Sequence, residues 1–342
     1  MTLIKTSILT AISTIITVIS AFVINKVVAI YAGPTGLALI GQLKDFVTML
    51  INISNGAITQ GIVKYTAEYQ TIEEKQKIFS TSIIISLISS FIVAIILFVF
   101  SGYLSELILK DIQYSNVFLV FGSTIFLFAL NTVFISILNG QKEIKKYVLV
   151  NIVNSIVTLI LSSLLVVKFN IQGALYALVI NQSIVFFVTL MFILKSSWFK
   201  WEYFKQGVDN DSLIKLSKYS LMAITSAIAA PVSFLIIRNH IGENLDWNSA
   251  GYWQGIWYIS SMYLLVVTTS LSVYYLPRLS EIQDKVELKK EIFSGYKIIM
   301  PIVIVSALMI YLFKEDLYNQ TYRKNIKQVL EFNSLNRIQI TH

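Results

Sequence analysis

Long apolar stretches alternate with short polar segments from the start of the chain to about residue 314. Stretches of about 18 or more apolar residues are long enough to cross a bilayer as α-helices. The pattern therefore predicts an all-α polytopic membrane protein with about nine transmembrane helices. The predicted spans are 6–31, 38–63, 81–101, 115–138, 148–168, 173–194, 218–238, 253–276 and 297–314.

Polar side chains recur at helical spacing within the second predicted span. They are Asp45, Thr48, Asn52, Asn55 and Thr59. Steps of three or four residues place all of them on one face of a continuous helix. Polar residues in a span usually face the bundle interior or a water-filled cavity, so this stripe predicts a cavity lining. The alternative is hydrogen bonding between neighbouring helices, which small polar residues also provide in membranes.

Composition agrees with a membrane location and excludes several kinds of chemistry. Hydrophobic residues make up 56% of the chain and charged residues 13%, whereas soluble proteins carry about 25% charged residues. There is no cysteine and there are two histidines, so we predict no disulfide, no metal site and no cofactor. The net charge of +8 comes mostly from loops beside the spans, where basic residues meet lipid headgroups. We therefore predict no nucleic-acid partner.

The distribution of basic residues predicts the orientation of the chain. With the amino terminus in the cytoplasm, and leaving aside the polar segment after the last span, 17 basic residues fall in cytoplasmic segments and three fall in outside loops. The three outside are Lys110, Lys168 and Arg238. Cytoplasmic loops of membrane proteins carry the excess of Lys and Arg, so we predict a cytoplasmic amino terminus.

A cytoplasmic interfacial connector at 195–217 divides the chain into two parts that resemble each other. The first part, 1–194, is predicted to form a six-helix bundle, and 218–317 an incomplete bundle of three helices. Landmark residues recur at an offset of 212 to 215 positions: Lys5 with Lys218, Lys26 with Arg238, Gly36 with Gly251, and Lys64 with Arg278. These matches predict two parallel repeats related by an axis along the membrane normal.

The last segment, 318–342, is polar and basic where the repeat predicts another span. Such a segment is too polar to insert into a bilayer. We interpret it as an aberrant tail, produced by truncation or a frame shift.

Three cations lie near the predicted membrane interior and are candidates for binding an anionic ligand such as a diphosphate. They are Lys26, Lys44 and Arg238. Coulomb attraction between cations and a diphosphate is strong where the dielectric is reduced. Alternatively, these long side chains bend toward the interface. Asp45 is a candidate for an ion pair with one of them, or for coupling to a proton or sodium ion.

Two further features bear on mechanism. Pro231 falls within the seventh span, where it removes a backbone hydrogen bond; it is either a hinge or a site of close packing. Gly36 and Gly41 have phosphate-loop spacing, but Gln42 stands where that motif requires lysine. We therefore predict that the chain hydrolyses no nucleotide, and our leading prediction is that it is not an enzyme.

Several segments together resemble a known family of membrane proteins. They are Lys5-x-Ser7, Asn25-Lys26, GPTGL at 33–37, GIVKYTAEY at 61–69, LSKYSLMA at 216–223, Pro231, Arg238, GYWQG at 251–255 and SVYYLPRLS at 272–280. In order and spacing, the chain to about residue 317 resembles Wzx-type flippases of O-antigen or of enterobacterial common antigen (lipid III). These belong to the polysaccharide-transporter branch of the multidrug/oligosaccharidyl-lipid/polysaccharide (MOP) exporter superfamily.

The resemblance implies two six-helix bundles around a central cavity, with the second bundle incomplete in this chain. It also implies alternating access in the bacterial cytoplasmic (inner) membrane, and an undecaprenyl-diphosphate-linked oligosaccharide as substrate. Lys26, Lys44 and Arg238 become candidate contacts for its diphosphate or sugar, whereas Asp45 does not belong to the family pattern. Membrane lipids are implied as partners, with a polysaccharide polymerase and a chain-length regulator as further candidates.

Three alternatives remain open at this point. The chain is another exporter of the superfamily, carrying drugs or the peptidoglycan lipid precursor; a membrane glycosyltransferase or polymerase; or an inactive truncated flippase. The enzymes usually need acidic residues in sizeable outside loops, and the first outside turn, 32–35, contains none.

Overall fold

The computed structural model describes residues 3–196 and 198–270, together with scattered positions between 286 and 312. The helices are α1 (Leu3–Tyr31), α2 (Gly33–Ser54), α3 (Thr59–Glu68), α4 (Ile72–Val99), α5 (Ser101–Leu109), α6 (Ser115–Gly140), α7 (Ile144–Leu194), α8 (Asn210–Asn244) and α9 (Trp247–Ser270). Short 3-10 turns lie at Ile112–Tyr114 and Trp201–Phe204.

Six stretches of helix in the described part are long and apolar enough to cross a membrane. They are Leu9–Tyr31, Gly33–Ser54, Ile72–Val99, Ile112–Gly140, Ile144–Leu194 and Asn210–Asn244. Each of the first seven predicted spans overlaps one of them, because Ile144–Leu194 contains two. Large apolar side chains project outward from these helices, as Phe91 and Val99 do on α4 with 67% and 68% exposure. A membrane protein places such side chains against lipid.

The 51-residue helix α7 is in fact a hairpin of two antiparallel helices. Asn170 has φ 51° and ψ −131°, which no α-helix contains. A Cβ on Gly173 would lie 1.9 Å from the carbonyl oxygen of Leu165, so the chain turns back closely at this point. Farther along, the side chain of Asn181 donates a hydrogen bond of 3.2 Å to Asn154, 27 residues earlier. This hairpin confirms the predicted division into spans 148–168 and 173–194.

The second predicted span is interrupted, which corrects the sequence prediction of one continuous helix over 38–63. Helix α2 ends at Ser54 and α3 begins at Thr59. Between them Gly56 and Ala57 have φ values of 66° and 53°, in the left-handed region. Asn55 and Thr59 therefore do not continue the face that Asp45 occupies, and the five-residue stripe does not lie on a single helix.

Two apolar clusters join the second to the sixth predicted spans. One is centred on buried residues of α2, α4 and α6, including Leu43, Leu97 and Phe121. The other lies nearer the connector and includes Ile62, Phe79 and Ile137. Tight burial of large apolar side chains is the main packing contribution here, each contributing about 1.5–3 kcal/mol in an aqueous reference and less against lipid.

The connector between α7 and α8 folds its aromatic rings against the helix ends. The ring of Phe204 stacks on Phe79 at 5.9 Å between centroids and meets Phe134 at 6.3 Å. Trp198 donates a 2.7 Å hydrogen bond to Glu143, at the start of α7. Trp201 is 61% exposed, as expected of an aromatic side chain at a membrane surface.

Packing divides the chain after Gly251, so α8 belongs to the same compact unit as the spans before it. The predicted grouping of 218–317 as an incomplete second bundle stays a prediction. Residues of that segment after Ser270 are described only at scattered positions, and the tail 318–342 lies outside the described residues.

Candidate functional site

A buried arginine joins α8 to α2. The side chain of Arg238 is 1% exposed. Its Nη1 donates a 2.7 Å hydrogen bond to Oε1 of Gln42, and its Nη2 lies 2.8 Å from Oδ2 of Asp45. The guanidinium thus has a neutral acceptor and a carboxylate on the same neighbouring helix. Charge-assisted bonds of this length are stronger than neutral ones.

Helix α2 supplies both acceptors because Gln42 and Asp45 are three residues apart, on one face of the helix. The helix begins at Gly33, whose φ of 66° is left-handed, and Pro34 lies in its first turn, where a missing N–H costs nothing. Gln42 is 2% exposed and was not among the residues that the sequence singled out. One signal in the sequence could have indicated a buried role for Gln42. It is a single amide in an apolar run, three positions before the carboxylate of Asp45.

Lys44 lies beside this cluster on a different face of α2. It is exposed, as is Thr48 one turn later, whose hydroxyl donates a 2.8 Å hydrogen bond to the carbonyl of Lys44. Asn52 is half-buried on the next turn. The opposite face of α2 is buried in the apolar core. Of the predicted stripe, the part from Asp45 to Asn52 therefore forms a polar face on α2 that begins at the buried ion pair.

The other two stripe residues have local roles or positions. The side chain of Asn55 is buried, and its Oδ1 accepts a 3.1 Å hydrogen bond from the backbone N–H of Ala57. This is an Asx turn, which stabilises the break between α2 and α3. Thr59 is half-buried at the start of α3.

Lys26 is exposed in the last turns of α1. Other polar residues of α1 pack against α7: the hydroxyls of Thr17 and Ser155 lie 2.7 Å apart, and Ser13 and Ser20 are buried. Those residues bind one helix to another, which is the alternative that the sequence left open for polar stripes. The role of Lys26 in binding stays a prediction.

Pro231 lies inside α8, and the helix runs through it without ending. It is buried, and the hydroxyl of Ser233 donates a 2.8 Å hydrogen bond back to the carbonyl of Ala229. Bonds of this kind often accompany bends in helices. A hinge at Pro231 stays a prediction.

The described residues contain no group of three or more His, Asp or Glu side chains placed to hold a metal ion. The ion pair of Asp45 and Arg238 is instead a polar centre in an apolar surrounding, with Lys44 as a second cation next to it. Such a centre can exchange the carboxylate partner of its arginine for another anion. It offers no nucleophile paired with a base.

Comparisons with known proteins bear on the family and the fold of the chain. Residues 3–283 match the family described as "Polysaccharide biosynthesis protein". The chain is 25% identical over 316 residues to the lipid III flippase of Escherichia coli (strain K12), covering 92% of this chain and 76% of that protein. The lipid III flippase of Shigella flexneri gives the same values.

Solved structures with the same fold are transporters. An inward-facing multidrug resistance MATE family transporter of the MOP superfamily superposes with a TM-score of 0.73 at 14% identity, covering 88% of this chain and 71% of that one. The MATE multidrug transporter DinF-BH gives a TM-score of 0.70 at 17% identity, with 93% and 74% covered. These likenesses confirm the expected all-α fold of the MOP exporters.

Proposed function

Because the chain belongs to the polysaccharide biosynthesis protein family, we propose that it is a flippase for a lipid-linked oligosaccharide. The substrate class is an undecaprenyl-diphosphate-linked oligosaccharide, an O-antigen repeat unit or a similar one. The protein moves it across the bacterial cytoplasmic (inner) membrane by alternating access. It is a carrier rather than an enzyme.

The observation that carries this proposal is the cluster of Arg238, Gln42 and Asp45 with Lys44 beside it. Burying an arginine within a membrane span costs free energy, so a buried arginine in a span usually marks a functional site. A lipid diphosphate brings a concentrated negative charge, which a planar guanidinium binds with two parallel hydrogen bonds and a lysine binds as a point charge.

The three candidate cations have different parts in this proposal. Lys44 is exposed and therefore meets the diphosphate first. Arg238 becomes available only when it leaves Asp45, so its contribution comes later in the cycle. Lys26, exposed on α1, supplies a further positive charge or a sugar contact. The polar face from Thr48 to Asn52 offers hydroxyl and amide groups that suit an oligosaccharide.

The amino terminus is placed in the cytoplasm in this proposal, so that the substrate enters from the cytoplasmic leaflet, where it is made. Membrane lipids surround the protein, and a polysaccharide polymerase and a chain-length regulator are the partners that would act on the exported unit. A MOP exporter of drugs is the second candidate, because the solved structures with this fold are named as multidrug transporters.

Complementation of a strain that lacks its own flippase tests the proposal. The chain should restore surface polysaccharide, Lys44→Ala should lower it about tenfold or more, and Lys44→Arg should retain part of it. Lys168→Ala is the matched control, since Lys168 is an exposed lysine beside the α7 turn and lies over the ring of Phe169. If Lys44→Ala, expressed at the normal level, restores polysaccharide as well as the parent chain, Lys44 does not bind substrate.

A further inference from the structure

Helix α8 is attached to the preceding helices at two separate places. Near its start, Tyr219 packs edge-on against Tyr65 with ring centroids 5.7 Å apart, and Lys215 donates a 2.9 Å hydrogen bond to the hydroxyl of Tyr69. Near its end, Arg238 bonds to α2. Arg238 follows Tyr219 by 19 positions, which is about 28 Å along a helix and close to the thickness of a bilayer's hydrocarbon core.

Between these two places several apolar side chains of α8 are exposed in the described part of the chain, as expected for a helix that faces lipid, whereas Pro231 is buried. Leu221 is 76% exposed and Ile236 63% exposed. The polar and aromatic contacts described above form two separate groups along α8.

The contacts at the far end form a compact set that continues past α8 into the first turn of α9. Lys110, at the end of α5, lies 3.0 Å from Glu243, and Thr35 donates a 3.0 Å hydrogen bond to Asn248. The backbone of Gly251 lies so close to Pro34 that an added Cβ would be 1.9 Å from its carbonyl oxygen. We call the set formed by these contacts and the Arg238 cluster the outer contact set.

Apart from the close backbone approach of Gly251 to Pro34, the outer contact set consists of hydrogen bonds and ion pairs. Trp247, the first residue of α9, packs against the apolar core of the bundle. An exposed ion pair such as that of Lys110 contributes at most about 1 kcal/mol, and a neutral hydrogen bond about as much. The buried pair of Arg238 and Asp45 is the strongest contact, and it is stable only while both partners are present. Loss of the Asp45 charge would leave the Arg238 guanidinium buried without this counter-charge. A position in contact with water would then be lower in free energy for the arginine.

We propose that the outer contact set is a releasable latch that must open in every transport cycle, with the Arg238–Asp45 pair as its main bond. This inference rests on the proposed function for its place in a transport cycle. The latch itself is defined by contacts that α8 and the start of α9 make with α2 and with Lys110 at the end of α5. Opening it frees the Arg238 guanidinium and moves the end of α8 away from α2 and α5.

The chain contains no cysteine, so two introduced cysteines can be cross-linked without reaction at any native thiol. Cysteines in place of Thr35 and Asn248 should cross-link with a short bis-methanethiosulfonate reagent, because their side chains now meet at 3.0 Å. Cross-linking should reduce polysaccharide export to about a tenth or less, and a reducing agent should restore it. The two single-cysteine variants, treated in the same way, should export normally.

A second measurement follows the latch without using export. In purified protein the rate of this cross-link should fall on the order of threefold or more when Asp45→Asn is added, since the latch then opens more often. Glu106→Gln is the control; it removes a negative charge from α5 at an exposed position. Lys110→Gln, which removes the exposed pair with Glu243, should slow the cross-link less.

The outcomes separate the latch from the proposed function. Normal export by fully cross-linked protein overturns the latch, as does a cross-linking rate that Asp45→Asn leaves unchanged. If the parent chain exports nothing while Asp45→Asn slows the cross-link and Glu106→Gln does not, the latch stands and the proposed function fails.

Discussion

The carboxylate of Asp45 and the guanidinium of Arg238 lie 2.8 Å apart, although 193 residues separate them in the chain. The arginine is 1% exposed and the aspartate side chain 21% exposed. Each charge therefore compensates the other where water has little access, and removing either one leaves a buried or partly buried charge without this partner. The pair joins the second and the seventh predicted spans, which the sequence assigns to different repeats.

The first prediction concerns this pair. Asp45→Ala and Arg238→Ala should each lower the free energy of unfolding. For Asp45→Ala the loss should be on the order of 3 kcal/mol, because the buried guanidinium then has no carboxylate partner at this position. The double variant should lose clearly less than the sum of the two, because neither charge is then unpaired. Thermal unfolding of the purified proteins in detergent measures the cycle. Additive losses would mean that the two charges do not interact.

The second prediction concerns the turn of the α7 hairpin. The backbone of Asn170, at φ 51° and ψ −131°, is in a region that side chains with a Cβ occupy only at a cost of about 1–3 kcal/mol. Asn170→Gly should therefore raise the unfolding temperature, and Asn170→Val should lower it. An unfolding temperature that falls for both variants would show that the asparagine side chain contributes more than the strain costs.

The third prediction concerns orientation, which the distribution of basic residues predicts. Reporter fusions at Gln141 and Lys205 should report the cytoplasm, and fusions at Glu106 and Asn244 the outside. The structure places these sites in two groups: Gln141 bonds to Lys75 at the start of α4, next to Gln76, which bonds to the connector at Gln206. Opposite results within one group would contradict the fold, and a reversed pattern in both would reverse the orientation.

The sequence predicted the first seven spans well, apart from the break in the second, because an apolar run of membrane length has few other uses. It predicted the reversal between residues 168 and 173 for the same reason, since two runs were separated there by a lysine and an asparagine. The break after Ser54 was missed, although Asn55-Gly56 is a typical turn signal. The segment is apolar over a length that suits one span, so it was predicted as one helix. The polar stripe was therefore predicted to continue past the residue at which α2 ends.

The site was predicted only in part. Asp45 and Arg238 were both singled out, and an ion pair was one interpretation of Asp45. The sequence contained no information that paired them, because the contact depends on how α8 packs on α2. Gln42 was missed for a related reason: an uncharged amide is indicated as functional only when its buried partner is known. Lys44 stays a predicted contact, adjacent to the pair in sequence but on an exposed face.

The central claim is that this chain carries a lipid-linked oligosaccharide through the membrane and that Lys44 binds its diphosphate. The most direct test is translocation of a labelled undecaprenyl-diphosphate oligosaccharide in proteoliposomes, followed as loss of access to an impermeant reagent on one side. We expect the parent chain and Lys168→Ala to translocate it, and Lys44→Ala to do so about tenfold more slowly. Absence of translocation by the parent chain, or equal rates for Lys44→Ala and the parent, would contradict the account.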